Sequence, residues 1–261
     1  MHIFGNTILI TGGGSGIGLA LACALVERNN RVMICGRDEA KLAAARSKMP
    51  TLETKRCDLT RRSEREELAG WTLARAPSLN VLINNAGVVR NLDLTENGFN
   101  YDDLEGELVT DLHAPIELGL RFLAHLKRQP HAALINVTTG QVYSPNAGTP
   151  VYSAAKVGLH AWTQAVRYQL RNTSVRVFEV LPPIVDTDMI RKLGVPKSQA
   201  VPPEEVAESV LKGVAEDEEE IRIGPTKTLY VMSRIAPQRV YRSLNQKIEN
   251  MRSRMGGGKA A

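Results

Sequence analysis

The chain has 261 residues, 43% of them hydrophobic and 23% charged, and a formal net charge of +5. That is enough chain to bury a substantial core as one large or two small domains, and the composition excludes wholesale disorder. No apolar run approaches the roughly 18 residues of a membrane span, and "MHIFGNTILITGGG" enters a strand-like segment without a basic leader, so a cytoplasmic protein is expected.

Short β-branched or apolar runs recur at 7–11, 31–36, 52–57, 81–87, 133–139, 175–183 and 220–224. Helix-compatible stretches lie between them at 17–29, 39–49, 61–75, 101–128, 152–172 and 204–215. This alternation predicts an α/β protein, a single-domain Rossmann fold with a doubly wound seven-stranded parallel sheet and helices on both faces. Ligands of such sheets sit at the carboxyl ends of the strands, where the strand order reverses. Polar clusters fall at those ends: Thr11 to Gly18, Gly36-Arg37, Asp58, Asn84 to Gly87, Thr138-Thr139 and Pro182 to Thr187.

"TGGGSGIG" (11–18) joins the first strand to the first helix, with Gly12, Gly14, Ser15, Gly16, Ile17 and Gly18 in its turn. The spacing is TGxxxGxG rather than GxGxxG. It reads either as a glycine-rich turn without a ligand or as a backbone cradle for pyrophosphate at a helix N-terminus, and the flanking strand and helix favour the cradle. The second strand ends "ICGRD", where Arg37 offers a planar donor to a ribose 2′-phosphate. NADP(H) is therefore favoured over NAD(H), with the alternative that Asp38 turns inward to accept the ribose hydroxyl. The three cysteines lack CxxC spacing and read as buried thiols, and the five histidines show no paired-ligand pattern, so no metal is expected.

In "YSAAK" (152–156), Tyr152 and Lys156 stand four residues apart, on one face of a helix. Together with "TGGGSGIG", "CDLT" (57–60) and "NNAG" (84–87), in that order, they make the chain resemble the classical short-chain dehydrogenase/reductase family over roughly residues 5 to 224. "PVYSAAK" and "PPIVDTDM" look most like a poorly characterised oxidoreductase branch, sometimes linked by name to bacterial cell-envelope modification. The resemblance implies that Tyr152 is the general acid/base at a carbonyl or hydroxyl group, and that Lys156 binds the nicotinamide ribose and lowers the Tyr152 pKa. It also implies that Asp58 meets the adenine, Asn85 helps hold the sheet and cofactor, and Thr187 binds the nicotinamide amide. Leu59, Ala86, Gly87, Pro182 and Ile184 complete the implied cofactor contacts.

Two positions depart from the family pattern. Thr139 stands where a Ser is usual, keeping the hydroxyl but narrowing the pocket, with Thr138 as a substitute beside it. Asp111 stands where an Asn is usual; its carboxylate would favour charged Lys156 and partly cancel the cation's pull on Tyr152, which predicts an activity optimum at higher pH than in an Asp111→Asn variant. His113, two residues on, is read as a satisfied helix histidine rather than a partner of Asp111. Pro183 replaces a common Gly and removes one N–H near the nicotinamide.

Residues 186–203 form the expected substrate lid, whose Arg191, Lys192 and Lys197 read as solvated charges, and Gln141, Val142, Tyr143 and Asn146 are expected to line the pocket. The domain is assigned to 1–224. Residues 225–261 form a basic extension with eight Lys/Arg and one acid. Tyr241, Leu244, Ile248, Met251 and Met255 there mark an amphipathic helix suited to docking or self-association rather than peripheral membrane contact, and "GGGKAA" is read as a disordered end. The tail lacks interleaved aromatics, so no nucleic-acid partner is expected. The resemblance implies a homodimer or homotetramer built through the helices at 101–128 and 152–172. The leading reading is an NADP(H)-dependent carbonyl reductase or alcohol dehydrogenase; the alternative is a non-catalytic NADP(H)-binding protein with a partner-binding tail.

Overall fold

Each of the seven apolar runs forms a strand. The computed structural model describes residues 1–256, with side chains described to residue 250. In chain order the main elements are β1 (Thr7–Thr11), α1 (Gly16–Val26), β2 (Arg31–Gly36), α2 (Glu39–Lys48), β3 (Glu53–Arg56), α3 (Arg62–Arg75) and β4 (Val81–Asn84). Then come α4 (Tyr101–Leu108), α5 (Ala114–Leu126), β5 (Ala132–Val137), α6 (Pro150–Leu170), β6 (Val175–Leu181), α7 (Asp188–Lys192), α8 (Pro203–Ala215) and β7 (Glu220–Arg222). The chain continues into α9 (Pro225–Ile235) and α10 (Pro237–Gly256).

The sheet order is β3-β2-β1-β4-β5-β6-β7, and every neighbouring pair is parallel. Alternation along the strands divides the core. Ile8, Ile10, Ile34 and Ile83 pack toward α1 and α8, while Leu9, Met33, Leu82 and Leu134 pack toward α3 and α5. Burying a side chain of this size stabilises the fold by about 2 kcal/mol, so both faces must be covered. The order reverses between β1 and β4, and the crevice opens at the carboxyl ends of those two strands.

The 101–128 stretch, expected as one helix, is interrupted by a wider turn at Val109–His113, in which the Ala114 N–H reaches back five residues to the Val109 carbonyl. Pro115 gives the reason: it has no N–H to offer the Asp111 carbonyl four residues before it, and the helix widens there. Beneath the crevice a buried polar ladder joins four elements, β4, β5, α5 and α6. Asn84 Nδ2 donates to Asn136 Oδ1 (2.9 Å) and to the Pro115 carbonyl (3.1 Å), and Asn136 Nδ2 donates to Thr163 Oγ1 (2.9 Å).

The end of the chain packs on the body. Thr226 is buried at the start of α9, against the Gly140 backbone. Among the described side chains of α10 the buried one is Asn245, which accepts from the Ala147 N–H (2.7 Å) and donates to the Pro145 carbonyl (3.2 Å). Leu244 and Ile248 of the expected apolar stripe are half-buried and Tyr241 is exposed; the Met251 and Met255 side chains and most of "GGGKAA" lie outside the described residues. No described helix is long and apolar enough to cross a membrane.

Candidate active site

The glycine turn after β1 is held against the end of β4. Asn85 Nδ2 donates to the Thr11 and Gly12 carbonyls at 3.0 and 3.3 Å, and Thr11 Oγ1 accepts from the Asn85 and Ala86 N–H groups at 3.0 and 3.1 Å. Gly12 has φ +67°, and a Cβ there would lie 2.8 Å from the Ala86 Cα, so this turn requires glycine. Ser15 is extended and its side chain does not cap α1; Gly16, Ile17 and Gly18 open the helix. Together with Gly14 beside Lys41, these features make a narrow cradle that fits a pyrophosphate at a positive helix end.

At the end of β2, Arg37 is exposed, and its charge helps lower the pKa of Asp58 on the neighbouring loop. Burial pushes the Asp58 carboxyl up, but the Thr60 N–H and hydroxyl, at 3.0 and 2.8 Å from Oδ1, outweigh it. Asp38 does not turn inward as the alternative required: its Oδ1 accepts from the Lys41 N–H at 3.1 Å and caps α2. The Leu59 side chain is in the core, which leaves only its backbone at the crevice.

Tyr152 and Lys156 leave the first turns of α6 on one face. Lys156 is 3% exposed. Its Nζ donates to the Val137 carbonyl at 3.1 Å, lies 3.1 Å from Asp111 Oδ1 and sits 5.8 Å from the centre of the Tyr152 ring. Asp111 comes from the widened helical turn and is fully buried, with Oδ2 accepting from the Val88 N–H at 3.0 Å. Burial raises its pKa, and Lys156 and the Val88 N–H oppose the rise. Gly87 must lack a side chain, since a Cβ there would lie 2.7 Å from Asp111 Oδ1. Burial and then the Asp111 carboxylate push the Tyr152 phenol well above its ordinary range, while the facing Thr139 hydroxyl pulls it down. Tyr152 is therefore protonated at neutral pH.

Residues 6–197 match the family model described as short chain dehydrogenase. The chain belongs to the short-chain dehydrogenase family. It is 41% identical over 251 residues to DltE, an uncharacterized oxidoreductase of Bacillus subtilis (strain 168), across 94% of this chain and 98% of the relative. An uncharacterized oxidoreductase of Staphylococcus aureus (strain MRSA252) is 26% identical over 205 residues, 78% of this chain and 88% of its own. Among solved structures, a short chain dehydrogenase from Burkholderia cenocepacia J2315 in complex with NADP is similar with a TM-score of 0.81 and 25% identity, covering 94% of this chain and 99% of the other. One from Burkholderia phymatum in complex with NAD has a TM-score of 0.80 at 20% identity, covering 91% and 95%.

The 182–203 segment, which follows β6, borders the crevice. The Pro182 carbonyl accepts from the Gly140 N–H at 3.0 Å, and exposed Ile184 is tied through its carbonyl to the Val201 N–H at 2.9 Å. Thr187 caps α7 and faces the phosphate turn: a Cβ at Gly16 would lie 2.8 Å from its Cγ2. Lys41 Nζ reaches Asp188 at 2.6 Å from the other bank. Arg191 pairs with Asp186 and Asp188, and Lys197 with Asp186, so these two lid cations are neutralised locally.

Several side chains are placed differently from the sequence expectation. The Thr138 hydroxyl donates to Glu179 Oε1 at 2.5 Å and so does not substitute for Thr139. The Tyr143 hydroxyl accepts from Arg222 Nε at 2.9 Å and its ring packs on His160 and Tyr230, which ties it to β7 and α9 instead of leaving a free donor for a ligand; burial first, against the pull of Arg222, raises its pKa to about 12. Asn146 Oδ1 accepts from the Gly148 N–H (2.7 Å) and shapes its own loop, while Gln141 Oε1 lies 3.4 Å from the Ser153 hydroxyl. His113, by contrast, fits its expectation as a satisfied helix histidine: it pairs with Glu117 at 3.2 Å, not with Asp111.

His160, Glu179 and Glu220 bring metal-type ligand atoms within 4.8 Å of one another, a trio without a sequence pattern. Each is already engaged: His160 Nδ1 lies 2.8 and 2.9 Å from the Glu179 oxygens, and Glu220 accepts from Gln164 and Arg222. Sequence reasoning missed Glu107, one turn before Asp111 and 1% exposed, and Arg90, 3.6 Å from it. The i, i+4 spacing of Glu107 and Asp111 was the available signal.

Proposed function

We propose that the protein is an NADP(H)-dependent oxidoreductase acting on a carbonyl or secondary alcohol, with Tyr152 as the proton donor in reduction. The observation that carries this reading is the convergence of Tyr152, the buried Lys156 ammonium and Thr139 beside the crevice, facing the glycine cradle of a short-chain dehydrogenase. A bound nicotinamide supplies the hydride acceptor or donor, and the chain's own residues supply the proton chemistry. Tyr152, held neutral by burial and by Asp111, gives its proton to the carbonyl oxygen as that oxygen gains charge, and Thr139 offers a hydroxyl to the same oxygen. Lys156, fixed by Val137 and Asp111, stabilises the phenolate that remains.

Arg37 at the ribose position and the commitment of Asp38 to capping α2 support a 2′-phosphate, and hence NADP(H) over NAD(H). Thr187, Pro182, Ile184 and Gly87 would border the nicotinamide, with Met189 beside Gly87 on the lid side. A cytoplasmic protein assembled through the α4–α5 and α6 faces, where Leu120, Val157 and Tyr168 are exposed, is consistent with this reading.

The test is oxidation of NADPH and NADH with a panel of ketones, aldehydes, quinones and oxo acids, comparing the native chain with Tyr152→Phe. Turnover that falls by at least about a hundredfold in the variant, with NADPH binding retained, is the expected result. NADPH binding without turnover of any carbonyl in the panel would favour the non-catalytic reading.

A further inference from the structure

Behind Lys156 the structure places two buried carboxyl groups, Asp111 and Glu107. Glu107 lies on the last turn of α4 and is 1% exposed; neither carboxyl oxygen has a well-directed hydrogen bond among the described residues, and Arg90 offers only a loose contact. Buried carboxylates without donors are costly to keep charged. The groups facing Glu107 are few. Asp111 is one helical turn on; Arg90, from the segment after β4, lies 3.6 Å from Oε2 and is shared with Asp103 at 2.9 Å; Tyr152 on α6 feels the Glu107 charge. Asp111 Oδ1 also lacks a well-directed hydrogen bond, although Lys156 Nζ is 3.1 Å from it. Three carboxyls, Asp103, Glu107 and Asp111, share two cations, Arg90 and Lys156, which leaves one negative charge uncompensated, and a single proton on one of the two buried carboxyls removes it.

We propose that Glu107 and Asp111 form a buried carboxyl dyad that holds one exchangeable proton, and that this dyad is the store from which Lys156 and then Tyr152 are re-protonated after reduction. The second half rests on the oxidoreductase reading. The Tyr152 O–H bond breaks as the product O–H forms; an Nζ–H proton of Lys156 returns to the phenolate. The dyad's proton passes from Asp111 to the neutral amine 3.1 Å away, and solvent refills Glu107 on the half-exposed Arg90 side. No electrons move in these steps. Glu107 acts through Asp111 and does not touch substrate, so it is a positioning and relay group. Its environment agrees with the assignment: burial first, then the Asp111 charge, against the pull of Arg90, raise the Glu107 carboxyl to about 7.

The deciding measurement is a carboxyl carbon-13 NMR titration of the full chain, with and without NADPH, in the native protein, Glu107→Gln and Asp111→Asn. The proposal expects the Glu107 carboxyl to titrate near neutrality and to move to lower pH in Asp111→Asn; a Glu107 that remains charged down to the ordinary carboxylate range overturns it. The second arm follows NADPH oxidation against pH with phenanthrenequinone as probe. The native protein should lose rate above neutrality, with the break absent and the rate lower by about tenfold in Glu107→Gln, and with the break retained in Glu107→Asp. Native and Glu107→Gln profiles of one shape overturn the relay. Absence of Tyr152-dependent turnover overturns the oxidoreductase reading and the relay with it, while the titration still decides the dyad. A Glu107→Gln chain that fails to fold leaves Glu107→Asp and Asp111→Asn to give the same answers.

Discussion

Lys156 and Asp111 face each other at 3.1 Å with both side chains closed to solvent, so the cation beside Tyr152 carries its own counter-charge. Asp111 raises the Tyr152 pKa, and removing its charge lowers it. In the alcohol-oxidising direction Tyr152 must be the phenolate, so the rising limb of the rate is expected at lower pH in Asp111→Asn than in the native protein. Superimposable profiles would show that Asp111 is electrostatically silent.

Arg37 should separate the two cofactors. Replacing it with Ala removes one charge-assisted contact to a 2′-phosphate, worth about 1.5–3 kcal/mol, or roughly a tenfold to hundredfold loss in NADPH affinity. NADH affinity should change little. Fluorescence titration of both nucleotides reads this directly, and an equal loss for the two would place Arg37 away from the 2′ position.

Glu107 makes the fold less stable as pH rises. Its carboxyl moves from an ordinary 4.5 to about 7 on folding, so between those values the folded chain holds a proton that the unfolded chain has released. Stability from this group is complete below pH 4.5 and declines toward pH 7. Glu107→Gln does not titrate, so its Tm relative to the native chain should rise between about pH 5 and about pH 8; a constant difference would contradict the assignment.

Glu117 works in the opposite sense. Partial burial pushes its carboxyl up, but hydrogen bonds from Arg65 and Arg121 prevail and hold it at about 2. This stability is present above pH 4.5 and is lost as pH falls toward 2. Glu117→Gln leaves Arg65, 3% exposed, without its carboxylate; Glu117 is itself 16% exposed, so a cost of about 2 kcal/mol is expected, below that of a fully buried pair. Urea denaturation near neutral pH should show it, and the difference should shrink in acid.

The sheet was legible because period and composition agreed: six of the seven strands, β1 to β6, run into a polar cluster at the carboxyl end. Tyr152, Lys156 and the glycine turn were legible for a related reason, since helical spacing and a strand-turn-helix context are local properties. What escaped was non-local. Glu107 is buried where α4 packs on α6, and Asn245 is buried by the loop at 145–147; both burials depend on partners distant in sequence. The helix interruption at Val109–His113 had its local cause in Pro115, but the continuous apolar periodicity of 101–128 masked it. Tyr143 was assigned to the pocket from its neighbours in sequence, whereas Arg222, 79 positions away, sets its direction.

The bridge from Lys41 to Asp188 ties α2 to α7 across the entrance of the cofactor crevice, and both side chains are more than 40% exposed. An ion pair in that setting is weakened by dissolved salt. Nucleotide departure would then quicken with ionic strength even where the nucleotide's own contacts are unaltered, and the residence time of the bound cofactor becomes a property that the surrounding electrolyte adjusts.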